Sequence, residues 1–181
     1  MIAGVNHAPK EVPRNEACFF YILPNPIMAN ELNVAITRLR KTDQEEVSLP
    51  RYMTPDAAGM DIYADLETNL TIPPLGRALV PTGFALALPQ GYEAQVRPRS
   101  GLALQSGLTI LNAPGTIDAD YRDEVRVLLI NLGDQPVRIQ RGDRIAQLVI
   151  APVTRVRWHE VDQLDPTSRT GGFGHTDKKT T

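Results

Sequence analysis

The stretch Asn112–Val125 carries the residues best suited to chemistry in this 181-residue chain, because it combines two spaced acids, Asp118 and Asp120, with one aromatic residue, Tyr121. Pro114-Gly115 indicates a turn, and apolar residues on both sides predict two strands joined as a hairpin. The two acids would share a face on a strand but need not at a hairpin tip, and Tyr121 is also compatible with a place in the core. A carboxylate takes protons from water, so the stretch predicts a site that holds a small planar polar ligand and activates a water.

A second candidate site begins at Arg97-Pro98-Arg99-Ser100-Gly101, where cations, a hydroxyl and a flexible backbone precede a possible short helix. Ser100 is the expected N-cap of that helix, which would run over residues 100–106. Arginine binds phosphate through two parallel hydrogen bonds, and helix N-termini with free amides also bind it. The alternative is a capped turn whose arginines are solvated.

Two further polar residues lie in otherwise apolar runs. Asp61 lies at the start of a strand of small residues, where an acid is more often a turn or hydrogen-bond residue than a metal ligand. Gln147 lies on a strand that follows the turn Arg141-Gly142-Asp143. Buried polar groups need partners, so Gln147 is either satisfied within the core or faces a ligand.

The composition limits the classes of function. The net charge is −2, which argues against a protein that grips nucleic acid through its phosphates. Cys18 is the one cysteine, so there is no internal disulfide and a reducing compartment is expected. No apolar run has transmembrane length, and the first residues lack the features of a secretory signal. We expect a cytoplasmic protein that binds neither membrane nor nucleic acid.

The chain divides into three parts. Residues 1–31 are an N-terminal extension, expected to be disordered or non-native, with the first 27 dispensable; an ordered N-terminal arm is the alternative. Residues 32–160 form an all-β domain, because alternating or continuous apolar runs separated by turns predict strands at 32–36, 78–80, 84–88, 92–96, 109–111, 125–131, 137–139 and 145–150. Residues 161–181 are a glycine-rich flexible tail, in which Phe173 is either a loose end or part of a lid that covers a ligand.

The order of these signals resembles the trimeric dUTP pyrophosphatase (dUTPase) family over roughly residues 32–176. Five segments match the five motifs of that family in order, at 57–64, 98–103, 112–125, 141–148 and 169–176. The resemblance implies a jelly-roll-like β-clip barrel or sandwich and a homotrimer with three active sites at subunit interfaces. It also implies dependence on Mg²⁺ and hydrolysis of dUTP to dUMP and pyrophosphate, which limits uracil in DNA and supplies dUMP for thymidylate synthesis.

The same resemblance implies a role for each matching residue. Asp118 is the general base that directs water at the α-phosphorus, and Asp61 holds Mg²⁺ mostly through water. Tyr121 packs on the deoxyribose, Phe173 stacks on uracil, and the backbone around Thr116 reads the base. The implied substrate-binding residues are Arg99, Ser100, Gly101, Asn112, Thr116, Ile117, Asp118, Tyr121, Arg126, Gln147, Arg169, Gly172 and Phe173.

Two positions depart from the family pattern. Asp123 stands in the hairpin where the family usually has glycine, and aspartate tolerates left-handed geometry less well than glycine does. Ser168 stands in the tail where an arginine is usual, and Arg169 follows one place later. We expect the flexibility of the adjacent glycines to let Arg169 reach the γ-phosphate.

Three other interpretations remain open. A dCTP deaminase shares this fold, although Asp118 and Tyr121 argue against it, and ammonia release from dCTP would identify it. A non-catalytic binding module on the same scaffold would bind dUTP without releasing pyrophosphate. A structural β-sandwich would carry these motifs by coincidence, which their joint order makes improbable.

Overall fold

The computed structural model describes residues 31–40 and 46–167. The chain divides into two compact units, residues 1–33 and 34–181, and the elements below belong to the second unit. Most of the predicted N-terminal extension lies outside the described residues. So do the tail residues Arg169, Gly172 and Phe173.

Short strands dominate the second unit, as the apolar runs predict. They are β1 Ala35–Arg38, β2 Arg51–Tyr52, β3 Met60–Tyr63, β4 Leu70–Ile72, β5 Arg77–Pro81, β6 Phe84–Ala87, β7 Tyr92–Arg97, β8 Leu108–Ile110, β9 Gly115–Ile117, β10 Arg126–Asn131, β11 Val137–Ile139 and β12 Arg144–Pro152. The single helix among the described residues is α1, Ser100–Ser106. At seven residues it is too short to cross a membrane.

The strands pair in antiparallel fashion within four sheets. The largest sheet has the order β2-β3-β12-β7-β9, a second has the order β5-β10-β8, and two pairs are β1-β6 and β11-β4. The mostly β fold is therefore confirmed. Within the described ranges no sheet closes on itself, so the expected barrel is not found.

Alternation along the strands places the core. On β7, Ala94 and Val96 are buried, while Gln95 is only partly buried and Arg97 is exposed, so the two faces of the five-stranded sheet differ in polarity. Val127 and Leu129 of β10 are buried in the same alternating manner. The core consists mainly of aliphatic side chains, including Ile62, Ile72, Val80, Phe84, Leu86, Ala94, Val96, Leu108, Val127, Leu129, Ile145 and Leu148.

The predicted hairpin between residues 112 and 130 is wrong in its pairing. Strand β9 pairs with β7, whereas β10 pairs with β5 and β8. The segment between Ile117 and Arg126 is much longer than the two-residue turn that locks a hairpin register. Each strand therefore pairs with a partner that is distant in the sequence.

The short helix occupies the predicted residues, but its cap differs from the prediction. Arg99 is the N-cap, with extended backbone angles of φ −91° and ψ 123°, and no side chain caps the helix. Ser100 is therefore the first helical residue rather than the N-cap. Gly107 ends the helix in the left-handed region at φ 69°, and its N–H donates to the carbonyl of Ala103.

Gly83 lies against a buried carboxylate, so we expect Gly83→Ala to lower the free energy of unfolding by about 3 kcal/mol or more. Its φ is +73°, and an added Cβ would overlap Oδ2 of Asp65. Gly91→Ala is the matched control, because Gly91 also has a positive φ of +88° but has open space around it. The free energy of unfolding of the control should fall by about 1–2 kcal/mol. Equal losses in urea denaturation at one protein concentration would contradict the role of the carboxylate contact.

Candidate active site

Five of the predicted site residues lie between the end of β8 and the first residue of β10, and we call them the loop cluster: Asn112, Thr116, Asp118, Tyr121 and Arg126. Asp118 directly follows β9, and its carbonyl accepts a hydrogen bond of 3.2 Å from the N–H of Tyr121. The Asp118 side chain is exposed. Tyr121 is 39% exposed, so its alternative place in the core is wrong. The cluster therefore presents a carboxylate and an aromatic ring on one turn.

Glu124, which its residue type and spacing did not indicate, joins Tyr121 and Arg126 of the loop cluster. Its carbonyl accepts a hydrogen bond of 2.9 Å from the hydroxyl of Tyr121. Its carboxylate accepts one from Arg126 Nε at 2.8 Å and one from the backbone N–H of Gly83 at 2.9 Å. These bonds fix the aromatic ring. Asp123, beside Glu124, has no positive φ, so the substitution of the usual glycine causes no backbone strain.

Strand β9 lies at the edge of the five-stranded sheet. Its pairing with β7 uses one side of the strand, so the backbone groups on its other side have no strand partner among the described residues. Asn112 adds a side-chain amide here, and a Cβ on Gly115 would lie only 3.3 Å from its Nδ2. An edge with free backbone donors and acceptors can recognise a planar polar ring.

A cavity of about 540 Å³ opens beside the general-base candidate. Its lining residues include Asp118, Asp120 and Arg122, together with Tyr92 and Glu93 at the start of β7. This volume falls within the range typical of small-molecule sites. The Asp118 carboxylate therefore faces a space large enough for a ligand and a water.

Three further predicted residues, Asp61, Arg99 and Gln147, form a second group together with Arg144, and we call it the arginine cluster. Asp61 Oδ2 accepts a hydrogen bond of 3.1 Å from Arg144 Nη1 and lies 3.6 Å from Arg99 Nη2. Asp61 Oδ1 accepts a bond of 3.2 Å from Gln147 Nε2. Arg99 Nη1 also donates to the carbonyl of Arg144 at 2.8 Å. Two cations thus surround one carboxylate, which leaves a net positive charge.

Ser100 and Gly101 begin helix α1 immediately after Arg99, and both are exposed. The Ser100 hydroxyl has no hydrogen-bond partner within the described residues. An added Cβ on Gly101 would meet nothing within 4 Å. A hydroxyl and open backbone therefore lie beside a pair of arginines, which is the chemistry that binds phosphate.

The two clusters lie at opposite ends of β7. Gln147 pairs with Arg97 at its end, whereas Ile117, next to Asp118, pairs with Ala94. Asp118 therefore lies about four residues from the arginine cluster along the strand direction, which is roughly 13 Å. Within one chain the backbone at Asp118 is therefore separated from the arginine cluster along β7.

This arrangement of an acid, an edge strand and an arginine cluster agrees with the comparison to known proteins. Residues 45–177 match the dUTPase family model. The chain belongs to the dUTPase family. As a member of that family it is a hydrolase.

Two curated relatives align with this dUTPase chain over nearly their whole length. A deoxyuridine 5'-triphosphate nucleotidohydrolase of Desulfotalea psychrophila is 60% identical over 147 residues, covering 81% of this chain and 98% of its own. One from Wolbachia sp. subsp. Brugia malayi is 51% identical over 151 residues, covering 82% and 96%.

Solved dUTPase structures share the fold. The Staphylococcus bacteriophage 80alpha dUTPase with dUPNHPP has a TM-score of 0.68 at 24% identity, covering 78% of this chain and 96% of its own. A dUTPase variant from phage phi11 of S. aureus, described with a structural Mg(II) ion, has a TM-score of 0.64 at 22% identity, covering 74% and 99%. At these identities the likeness concerns the fold.

The residues around Asp61 in this dUTPase do not fit a magnesium ion bound there. Asp61 is 2% exposed, and both of its oxygens already accept bonds from side chains. Mg²⁺ prefers oxygen ligands and keeps several bound waters. The groups around Asp61 are nitrogen donors, so they offer the ion no oxygen ligand. Within the described residues no group of three His, Cys, Asp or Glu could hold a metal. Arg144, whose type and spacing did not indicate a site residue, lies beside Asp61 instead.

Proposed function

We propose that this dUTPase hydrolyses dUTP to dUMP and pyrophosphate, with Asp118 as the general base. The observation that carries the proposal is the exposed Asp118, which directly follows the edge strand β9 and lines a ligand-sized cavity. Asp118 would take a proton from a water molecule, and the oxygen of that water would attack the α-phosphorus in line. The bond to the bridging oxygen breaks, and pyrophosphate leaves with its electron pair.

The loop cluster would select the base and the sugar. The unpaired backbone side of β9 at Thr116 and Ile117, together with Asn112, supports recognition of the uracil edge. Cytosine would leave a donor facing a donor, and such unpaired groups discriminate strongly. The Tyr121 ring, fixed through Glu124, would pack on the deoxyribose where a ribose hydroxyl would clash. Arg126 would contribute its backbone.

The arginine cluster would bind the phosphates. Arg99 and Arg144 carry the charge, Ser100 and Gly101 add a hydroxyl and an open backbone, and Gln147 lies among them. Ser100 would contact the bridge between the α- and β-phosphates. From the tail, Arg169 and Gly172 would reach the phosphates and Phe173 would stack on uracil, which would exclude bulk water.

The protein would be a homotrimer with shared active sites, and the geometry of the single chain supports this. Asp118 would act at the α-phosphorus and Ser100 beside it, yet their clusters lie roughly 13 Å apart along β7. Residues 153–167 support association, because all are exposed and form no strand or helix. Trp158 is 89% exposed and Leu164 is 81% exposed, which is typical of a segment that docks on another copy.

Magnesium dependence, a cytoplasmic location and the supply of dUMP belong to the same proposal. Because Asp61 does not fit the ion, magnesium would be held by phosphate oxygens and its own water. When bound it would neutralise phosphate charge.

Pyrophosphate release from dUTP, dCTP, dTTP and UTP, each with and without Mg²⁺, tests the proposed function. We expect release from dUTP at least about a hundredfold faster than from the other three nucleotides, because the site discriminates through polar groups. Ammonia release from dCTP would identify a deaminase. Tight dUTP binding without any release would identify a non-catalytic module. Either of these two results overturns the proposal.

Tyr121→Ala should reduce discrimination against ribose. We expect the ratio of kcat/KM for dUTP to kcat/KM for UTP to fall at least about tenfold, because the ring that excludes the 2′-hydroxyl is gone. Tyr121→Phe is the matched control, since it keeps the ring and removes only the bond to Glu124. Its ratio should stay within about threefold of the parent. An unchanged ratio in the alanine variant would rule out this role for Tyr121.

A further inference from the structure

Asp61 is a buried carboxylate whose surroundings are built for cations. It lies on β3 with Gln147 of β12 and Arg51 of β2 as its neighbours in the sheet, so its position is fixed by backbone pairing on both sides. It is 2% exposed, and Arg144, Arg99 and Gln147 approach its two oxygens. A carboxylate so deeply buried is stable only when it is paired and hydrogen-bonded, and this one is both.

We infer that Asp61 is a positioning residue, which holds Arg99 and Arg144 so that their remaining N–H groups face the triphosphate. The inference rests on the proposed function, because it assigns the arginine cluster to phosphate. It differs from the magnesium role that the family resemblance implies, which the donors around Asp61 do not fit.

The charges explain why such a holder is needed. Arg99 and Arg144 converge on one point, and without Asp61 the two cations would repel each other. Arg144 has a side chain 43% exposed, so it would swing into water. Each arginine has five N–H donors in a rigid fork, so a bond to Asp61 leaves others for phosphate. Orienting the side chains before the ligand arrives reduces the rotamer entropy lost on binding.

If Asp61 positions the arginines, removal of its charge should change the affinity for an anion in the direction opposite to that expected from charge alone. Removing a negative charge beside an anion site would strengthen anion binding if charge alone mattered. If Asp61 positions the arginines, its removal weakens binding instead. The effect must appear without magnesium, because no metal is involved in the positioning.

Asp65 provides a matched control. It is 3% exposed, its carboxylate pairs with Arg141, and it lies 3.7 Å from Arg40 Nε. It therefore also holds arginines from a buried position, but it has no contact with the arginine cluster. Asp65→Asn makes the same chemical change, and its thermal unfolding shows what loss of stability the fold tolerates.

The experiment is calorimetric titration of the full chain with inorganic tripolyphosphate in EDTA. We expect Asp61→Asn to bind at least about tenfold more weakly than the parent, whereas Asp65→Asn stays within about twofold. The double variant Asp61→Asn with Arg144→Gln should lose less affinity than the product of the losses in the two single variants. Equal or tighter binding by Asp61→Asn overturns the inference. So does a raised half-saturating Mg²⁺ concentration for pyrophosphate release, which would mark a metal ligand.

Arg144→Lys tests the same role without touching the buried carboxylate. Lysine keeps the charge but lacks the fork that can bind Asp61 and a phosphate together, so tripolyphosphate should bind about tenfold more weakly. Parent-like affinity would show that charge suffices and would also overturn the inference. If the parent chain itself fails to bind tripolyphosphate, the assignment of the arginine cluster to phosphate fails, and this part of the proposed function fails with it.

Discussion

Asp118→Asn is expected to lower kcat for dUTP by about a thousandfold, within the range that a general base contributes to catalysis. The amide has nearly the shape of the carboxylate but cannot take the proton from the attacking water. Affinity for the imido analogue of dUTP should change by less than about threefold, because the base, sugar and phosphate contacts come from other residues. Single-turnover pyrophosphate release gives the rate, and calorimetry gives the affinity.

Asp120→Asn is the matched control for this prediction. Asp120 lies two residues further along the same turn and lines the same cavity, so it receives the same loss of charge in nearly the same place. We expect the kcat of Asp120→Asn to stay within about threefold of the parent, because Asp120 does not accept the proton from the attacking water. Full activity in Asp118→Asn would remove Asp118 as the base. Equal losses in both variants would indicate a general effect of charge in the cavity.

The sequence predicts those strands whose burial follows a local pattern. Alternation on β7 and the continuous apolar run of β10 locate both strands to within one or two residues. The two-residue strand β2 was not predicted, because so few residues cannot show a period. The separation of β9 from β10 into different sheets was also missed, since pairing depends on partners that are remote along the chain.

The same limit applies to the candidate site. Residue types and spacing indicate Asp118 and Gln147 as polar groups with a task, but they do not show what each one contacts. The bond between Gln147 and Asp61 joins residues 86 positions apart, and it exists because the register of β12 on β3 places them opposite each other. A shift of this register between Arg144 and Ala146 places Arg144 opposite Tyr63, two residues from Asp61, and so brings it into the cluster. The role of Glu124 is not predicted from the sequence, because its carboxylate bonds to the N–H of Gly83, which is remote along the chain.

Two inactive variants are expected to restore activity to each other when their subunits mix. One variant is Asp118→Asn, which lacks the base, and the other combines Arg99→Gln with Arg144→Gln, which disables the arginine cluster. If a site takes Asp118 from one copy and the arginines from another, random mixing makes a site complete only when both copies are of the right kind. The mixture should then show about a quarter of the parent activity.

A site contained within one chain gives the opposite result. Every chain in the mixture would lack one half of its own site, so unfolding the two variants together and refolding them would recover no activity. Variants that are mixed without unfolding are the control, because subunits that do not exchange cannot complement. Analytical ultracentrifugation of the refolded mixture reports the number of copies. The quarter depends only on each site taking its two halves from two copies, so it holds independently of that number. Recovery therefore tests the roughly 13 Å separation between the two clusters as a property of the assembled enzyme.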